Sequence, residues 1–199
     1  MKIRKKGWIL YSIIFVLLFL FLWQFLSKRN LEMQLVKSQN YNNQLSYIVG
    51  IGPIGSQHIH ADVKVYINGQ HVDFSLRKYQ LTTSYIHFED GLGDVIHAHS
   101  TGLTIGNLFY SIGGSISPNC LYFEGQNYCN GNGKTLKFYV NGQQSNEFGS
   151  KVIQDLDKYL ISYGDGNNTS IKKQLDSITN LAPRYSANKQ AMLPTAAQK

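Results

Sequence analysis

Cysteine is scarce in this sequence, which has only Cys120 and Cys129 among its 199 residues. No Cys-x-x-Cys pair is present, which argues against the usual chemistry of thiol–disulfide oxidoreductases. The sequence also lacks Gly-x-Ser-x-Gly, His-Glu-x-x-His and a phosphate-binding loop. These absences leave enzyme activity without positive support and favour a binding or structural role.

Acidic side chains are missing from the first 29 residues, which hold six of the 19 basic ones. The rest of the sequence carries 13 basic and 12 acidic side chains, so the formal net charge of +7 arises almost wholly near the N-terminus. Nucleic-acid binding needs Lys and Arg clustered on the folded part, and no such cluster is visible. We therefore expect no nucleic-acid partner.

Residues 7–27 form a long apolar run without any charge. At about 1.5 Å per residue, a helix of this length spans the roughly 30 Å hydrocarbon core of a bilayer. Trp8, Tyr11 and Trp23 lie towards its ends, where aromatic side chains prefer the lipid–water boundary. A cleaved signal peptide is the alternative, but the bulky residues after Trp23 offer no small-x-small cleavage site. The run is predicted to be an uncleaved, single-pass signal anchor in contact with membrane lipid.

Basic residues flank this span unequally, with four before it and two, Lys28 and Arg29, directly after it. The more basic end of a span tends to stay in the cytoplasm. We therefore predict that residues 1–6 are a cytoplasmic tail at the cell membrane and that the C-terminal domain is extracytoplasmic. Residues 28–56 are interpreted as a stalk or linker that ends in a stretch rich in Gly and Pro.

From Ile59 onward apolar and polar residues alternate, as in a half-buried strand, and Asn68-Gly69 then gives a strong hairpin signal. Further hairpins, a short helix and more strands follow. The pattern predicts an α+β domain over residues 57–182, with an antiparallel sheet packed on a short helix in a β-grasp-like manner. A small β-barrel is the alternative. Residues 183–199 lack periodicity and are predicted to be a disordered tail.

An eight-residue pattern occurs twice, in residues 63–70 and 136–143, with Lys, Tyr, Asn, Gly and Gln identical. It raises the hypothesis of two related halves, 57–115 and 116–182. A common Asn-Gly hairpin with alternating apolar residues explains the same match without duplication. Both explanations stay open at this point.

The two cysteines are placed to form a disulfide. If Glu124-Gly125 is a two-residue turn, Cys120 and Cys129 face each other across an antiparallel pair, at a separation that a disulfide spans. An extracytoplasmic compartment permits the oxidation. A structural disulfide is therefore predicted.

Asn167 and Asn168 each begin an Asn-x-Ser/Thr triplet. In an extracytoplasmic loop, either side chain can be glycosylated where the organism has the enzymes. Such triplets are also common by chance, so the sequence offers these two residues as candidates only.

Four of the six histidines form two His-x-His pairs, His58 with His60 and His97 with His99. Residues i and i+2 of a strand share a face, and the neighbouring apolar residues assign both pairs to a polar, outward face of the sheet. If the two strands lie close together, the four imidazoles converge on one transition-metal ion. Copper and zinc are the metals that such a ligand set favours.

Asp62 and His87 are further candidate ligands. Asp62 follows His60 on the same strand face. A four-residue turn would pair His87 with Ile96 and place it on the opposite face, whereas a three-residue turn with a bulge would pair it with His97 and add a fifth imidazole. Histidines are also tolerated at exposed sheet positions, so the pairs can equally be incidental.

Four stretches resemble a group of uncharacterised single-span membrane proteins of archaea and other small-genome prokaryotes. They are His58–Gly69, Ile86–Gly91 with Ile96–Gly106, and Leu160–Gly164. The resemblance covers about residues 57–180 and implies an outward-facing domain on one membrane helix. Some members carry a protein-disulfide isomerase label, but the Cys-x-x-Cys that this chemistry needs is missing here.

Three functional hypotheses follow. The first is a non-enzymatic, membrane-anchored extracytoplasmic domain that binds copper or zinc through its paired His-x-His motifs. The second is an interaction or assembly subunit that binds other envelope proteins, with incidental histidines. The third is a thiol–disulfide redox protein that uses Cys120 and Cys129. Metal retention separates the first two, and thiol reactivity tests the third.

Overall fold

The computed structural model describes residues 3–190. The side chains that it leaves undescribed within this range belong to residues 3–7, 42–48, 168 and 187–190. Two compact units make up the chain, with the division between Val49 and Gly50. The first unit is helix α1 (Ile3–Val49), and the second contains the sheets described below.

Helix α1 contains a segment, Trp8–Tyr41, that is long and apolar enough to cross a membrane by its length and composition. A helix satisfies its backbone hydrogen bonds internally, which lipid requires of any spanning segment. This segment includes most of the predicted span at 7–27, and the helix continues through most of the predicted stalk. Retention as a signal anchor and the orientation across the membrane remain predictions.

Among its described residues, the second unit has ten strands, three α-helices and two single-turn 3-10 helices, Arg77–Tyr79 and Phe148–Ser150. The strands are β1 (Ile59–Ile67), β2 (Gln70–His71), β3 (Ile86–His87), β4 (Val95–Ala98), β5 (Ser115–Ile116), β6 (Cys120–Phe123), β7 (Gln126–Cys129), β8 (Thr135–Val140), β9 (Gln143–Gln144) and β10 (Lys158–Gly164). The helices are α2 (Ile105–Ser111), α3 (Asn168–Asp176) and α4 (Ala182–Gln190). Together with α1 they form the predicted α+β architecture.

The larger sheet has the order β3-β4-β1-β10-β8-β9, and β2 also pairs with β1. Strands β1 and β10 are parallel, with Val63 opposite Tyr159, while the other neighbours are antiparallel. The sheet is therefore mixed, where local hairpin signals had predicted antiparallel pairing alone. A parallel pair joins strands far apart in sequence and leaves no turn signal. The described residues form no closed barrel.

Helix α2 packs on one face of this sheet. Its N-terminus is a capping box, in which the Thr104 hydroxyl accepts a hydrogen bond from the Asn107 N–H and the Asn107 side chain accepts one from the Thr104 N–H. Leu108 and Phe109 of this helix are buried in one core with side chains such as Phe138. That core is formed by residues of the second unit, so a fragment of residues 50–199 carries its own core.

The opposite face of the sheet is covered by the C-terminal segment rather than open to solvent. Leu160 and Ser162 of β10 are buried on this side, and α4 packs against β1. Residues 183–190, expected to belong to a disordered tail, are helical, and Ala182 at the start of α4 is fully buried. The expectation is wrong for this stretch because buried contacts order it despite its weak periodicity. Positions 191–199 lie outside the described residues.

The smaller sheet, β5-β6-β7, carries the disulfide. Glu124 and Gly125 form the turn with φ of 49° and 78°, the positive values that a tight hairpin turn requires. Cys120 pairs directly with Cys129, and the two are bonded, which confirms the predicted disulfide. Closing so short a loop stabilises the fold by about 2–3 kcal/mol.

The two Asn-Gly hairpins have the same register. Ile67 pairs with Gln70 across the first turn, and Val140 pairs with Gln143 across the second. The turn chemistry alone accounts for this similarity. Duplication of the two halves stays a hypothesis.

Asn167, one of the two candidate glycosylation residues, caps helix α3. Its side chain accepts a hydrogen bond from the Ser170 N–H at 3.0 Å. The side chain of Asn168 is not among those described. Glycosylation at either position stays a prediction.

Candidate metal centre

The pairing of β1 with β4 brings the two His-x-His pairs side by side. His60 lies opposite His97, and Ile59 lies opposite Ala98. Because side chains alternate along a strand, both pairs point to the same face of the sheet. One ring nitrogen from each of His58, His60 and His97 lies within 4.8 Å of the others. These three residues can hold a metal ion.

Two further imidazoles complete a closed ring of five. The ring-centroid separations are 4.7 Å for His58–His60, 4.7 Å for His60–His97, 5.9 Å for His97–His87, 5.0 Å for His87–His99 and 4.3 Å for His99–His58. We call these five residues the histidine cluster. The sixth histidine, His71, lies on β2 opposite Tyr66 and is outside this ring.

His87 joins the cluster through the register of β3 with β4, in which it lies opposite His97. Asp90 and Gly91 have φ of 57° and 68° in the connecting loop, and the Leu92 N–H donates a hydrogen bond to the Glu89 carbonyl. Of the two registers considered from sequence, the structure has the one that adds a fifth imidazole.

Helix α4 covers His60 and His97 of the cluster, whereas His58 and His99 are half-buried. Only 2% of His60 and 1% of His97 is exposed. The Tyr185 ring of α4 lies 5.6 Å from that of His60 and 5.0 Å from that of His97. The expectation of an open polar face is therefore wrong, because the covering helix comes from a distant part of the chain.

Asp62 shares this face of β1 but has a different role from the one expected. Its carboxylate accepts hydrogen bonds from the N–H groups of Leu181 at 2.9 Å and Ala182 at 3.2 Å, and from the Thr179 hydroxyl. Both of its oxygens are thus engaged with the segment that leads into α4. We correct its assignment as a ligand: Asp62 holds the cover of the site in place.

A chain of hydrogen bonds orients the His60 ring. The Ser186 hydroxyl donates to Asp155 Oδ1 at 3.1 Å, so its oxygen accepts from His60 Nδ1–H, also at 3.1 Å. This assignment leaves the Nε2 lone pair of His60 on the side of His58, whose Nε2 lies 3.1 Å away. Metal-binding histidines commonly donate their other N–H to such a partner, which fixes the ring and its tautomer.

Glu89 belongs to the site, although the sequence analysis did not single it out. Its Oε2 lies 3.3 Å from His87 Nε2, and its Oε1 lies 2.9 Å from His97 Nδ1. The spacing from His87 is two residues, which puts both side chains on one strand face. That spacing was the signal available in the sequence.

His97 is the most deeply buried member of the cluster, with 1% of it exposed. Burial, and secondarily the neighbouring His87, His58 and His99, lower the pKa of His97 from 6.5 to about 4. The imidazole is therefore neutral at pH 7. A neutral imidazole can bind a metal ion without first losing a proton from an imidazolium.

Acid is expected to destabilise the metal-free 50–199 fragment between about pH 6.5 and pH 4. The pKa of His97 is 6.5 without burial and about 4 in the fold, so over this window the unfolded chain binds a proton that the native state does not. The contribution of His97 is fully present above pH 6.5 and is lost as the pH falls through about 4. Urea midpoints measured with chelator at several pH values check this.

The comparison for this experiment is His71→Ala: burial also lowers the pKa of His71, but less than that of His97, so this variant should keep most of the parent pH dependence. His97→Ala should flatten it much more, because the histidine with the larger difference in pKa between the two states is gone. An equally steep dependence in His97→Ala would contradict the assignment to His97.

The donor set of the site consists of five imidazoles and one carboxylate, since both cysteines are committed to the disulfide. Imidazole ligands suit zinc and copper, and carboxylate completes such sites. Neither family models, nor curated proteins, nor solved structures match this chain. The functional conclusion therefore rests on the chemistry of these side chains.

Proposed function

We propose that this protein is a membrane-anchored, extracytoplasmic domain that binds copper or zinc through His58, His60, His97 and His99. It holds the ion for storage, delivery or structural use. The observation that carries the proposal is the convergence of ring nitrogens from His58, His60 and His97 within 4.8 Å beneath a covering helix. His99 extends the set through its ring contact with His58.

Two further features support the location. The apolar segment of α1 supplies a means of anchoring, and the basic flank before it favours a cytoplasmic N-terminus. The Cys120–Cys129 disulfide suits an oxidising compartment outside the cytoplasm. Membership of the group of single-span proteins named above stays a prediction, and so does the use of envelope proteins as partners.

Metal content tests the proposal directly. The full chain, made without a polyhistidine tag and purified in detergent, is stripped with a mild chelator, reloaded with copper or zinc and analysed by mass spectrometry. We expect at least about one ion per chain in the parent, because a site of three or more imidazoles retains such metals. The double variant His97→Ala/His99→Ala should lose this retention.

His71→Ala is the matched control, because His71 is a histidine outside the cluster and should leave retention unchanged. If the parent retains no metal, or if the double variant retains as much as the parent, the proposal is wrong. The envelope-partner hypothesis would then be the one to pursue.

A further inference from the structure

The carboxylate of Glu89 lies between two imidazoles of the cluster. Its two oxygens approach His87 Nε2 at 3.3 Å and His97 Nδ1 at 2.9 Å. His87 is 6% exposed and His97 is 1% exposed, so solvent has little access to either imidazole ring. His87 lies opposite His97 in the pairing of β3 with β4, and His97 is also one of the three residues whose ring nitrogens converge within 4.8 Å.

The tautomer of His87 determines what can lie between its Nε2 and the Glu89 carboxylate. Its Nδ1 lies 2.7 Å from the Thr83 carbonyl oxygen, which can only accept, so Nδ1 carries a proton. In the neutral ring, Nε2 then presents a lone pair to a carboxylate oxygen. Two electron-pair donors facing each other need a cation between them, either a proton or a metal ion.

His97 adds a second, independent observation. Its Nδ1 contact with Glu89 does not have the geometry of a hydrogen bond, and neither of its ring nitrogens has a hydrogen-bond partner among the described residues. Leaving a buried polar group unsatisfied costs about 1–3 kcal/mol. A metal ion at each nitrogen would satisfy both.

The histidine cluster and Glu89 together supply more ligands than one metal ion binds. A tetrahedral zinc or copper site uses four ligands, whereas this face presents five imidazoles and a carboxylate. Two ligands that are each roughly 2.0–2.2 Å from a tetrahedral ion lie about 3.3–3.6 Å apart. The His87–Glu89 separation of 3.3 Å matches that spacing.

We propose that the cluster is a two-metal centre, with a second divalent zinc or copper ion bound by His87 Nε2, His97 Nδ1 and the Glu89 carboxylate. This rests on the proposed function, which supplies the first ion. The His97 ring lies between the two positions and bridges them through its two nitrogens. Because each nitrogen then uses its lone pair for one ion, His97 releases its single N–H proton to solvent. His87 keeps its Nδ1 proton, which it donates to the Thr83 carbonyl oxygen.

Zinc stoichiometry tests the second position. The untagged full chain in detergent is stripped, loaded with Zn²⁺ alone, freed of loose metal by gel filtration and analysed for metal content. We expect about two ions per chain in the parent and in His71→Ala, and about one in Glu89→Gln, which keeps the shape of the side chain and removes its charge.

The outcomes separate the two proposals. One ion in both the parent and Glu89→Gln overturns the second position, leaves the first intact and leaves a proton as the cation between His87 Nε2 and Glu89. Two ions in both overturns the role of Glu89. No ion in the parent overturns the proposed function as well.

A measurement on the parent alone covers the case in which Glu89→Gln fails to fold. With two Cu²⁺ ions per chain, an imidazolate bridge couples the two unpaired electrons. The integrated electron paramagnetic resonance signal at low temperature should then fall well below the copper content measured by mass spectrometry. A signal equal to the copper content would overturn the bridge.

Discussion

Zinc at 1,000 times its dissociation constant is expected to stabilise the 50–199 fragment by about 4 kcal/mol, because an ion that binds only the native state shifts the folding equilibrium by mass action. In a domain of this size, each kcal/mol of stabilisation raises the thermal unfolding midpoint by about 2–4 °C, so the midpoint should rise by about 8–16 °C. Differential scanning calorimetry over a zinc titration measures this.

The physical reason is that the ligands converge only in the fold. His60 and His97 belong to strands that meet through sheet pairing, and the unfolded chain does not hold them together. The double variant His97→Ala/His99→Ala should therefore show little zinc-dependent shift, while His71→Ala should match the parent. A parent midpoint that zinc does not move, or an equal shift in the double variant, would contradict native-state binding at the cluster.

Replacing Asp62 by Ala is expected to lower the free energy of unfolding by about 2–4 kcal/mol, since it removes charge-assisted hydrogen bonds and leaves buried N–H donors without an acceptor. The donors concerned are the backbone N–H groups of Leu181 and Ala182. Urea unfolding of the 50–199 fragment measures the loss. Asp165→Ala is the control, because that carboxylate is exposed.

This substitution should also affect the metal, although Asp62 does not bind it. The segment that Asp62 holds leads into α4, and Tyr185 and Ser186 of that helix contact the His60 ring. Loosening α4 should speed zinc release to an excess of chelator, and amide exchange at Leu181 and Ala182 should quicken. Unchanged release with a destabilised fold would show that α4 does not control access to the ion.

Much of the local structure followed from residue types and spacing. The Glu124-Gly125 turn set the pairing of Cys120 with Cys129, because a two-residue turn fixes the register of the strands it joins. Strand alternation likewise assigned both His-x-His pairs to one face of the sheet. In each case the physical determinant lies within a few residues of its effect.

The sequence by itself therefore determined the apolar helix, the hairpin turns, the disulfide and the face on which the four paired histidines lie. Only the tertiary structure decided that β1 pairs in parallel with β10, that α4 covers the histidines and that Asp62 holds that cover. It also decided that Glu89 joins two imidazoles. These features depend on side chains that are mostly distant along the chain and meet only when the whole domain packs, so no local pattern records them.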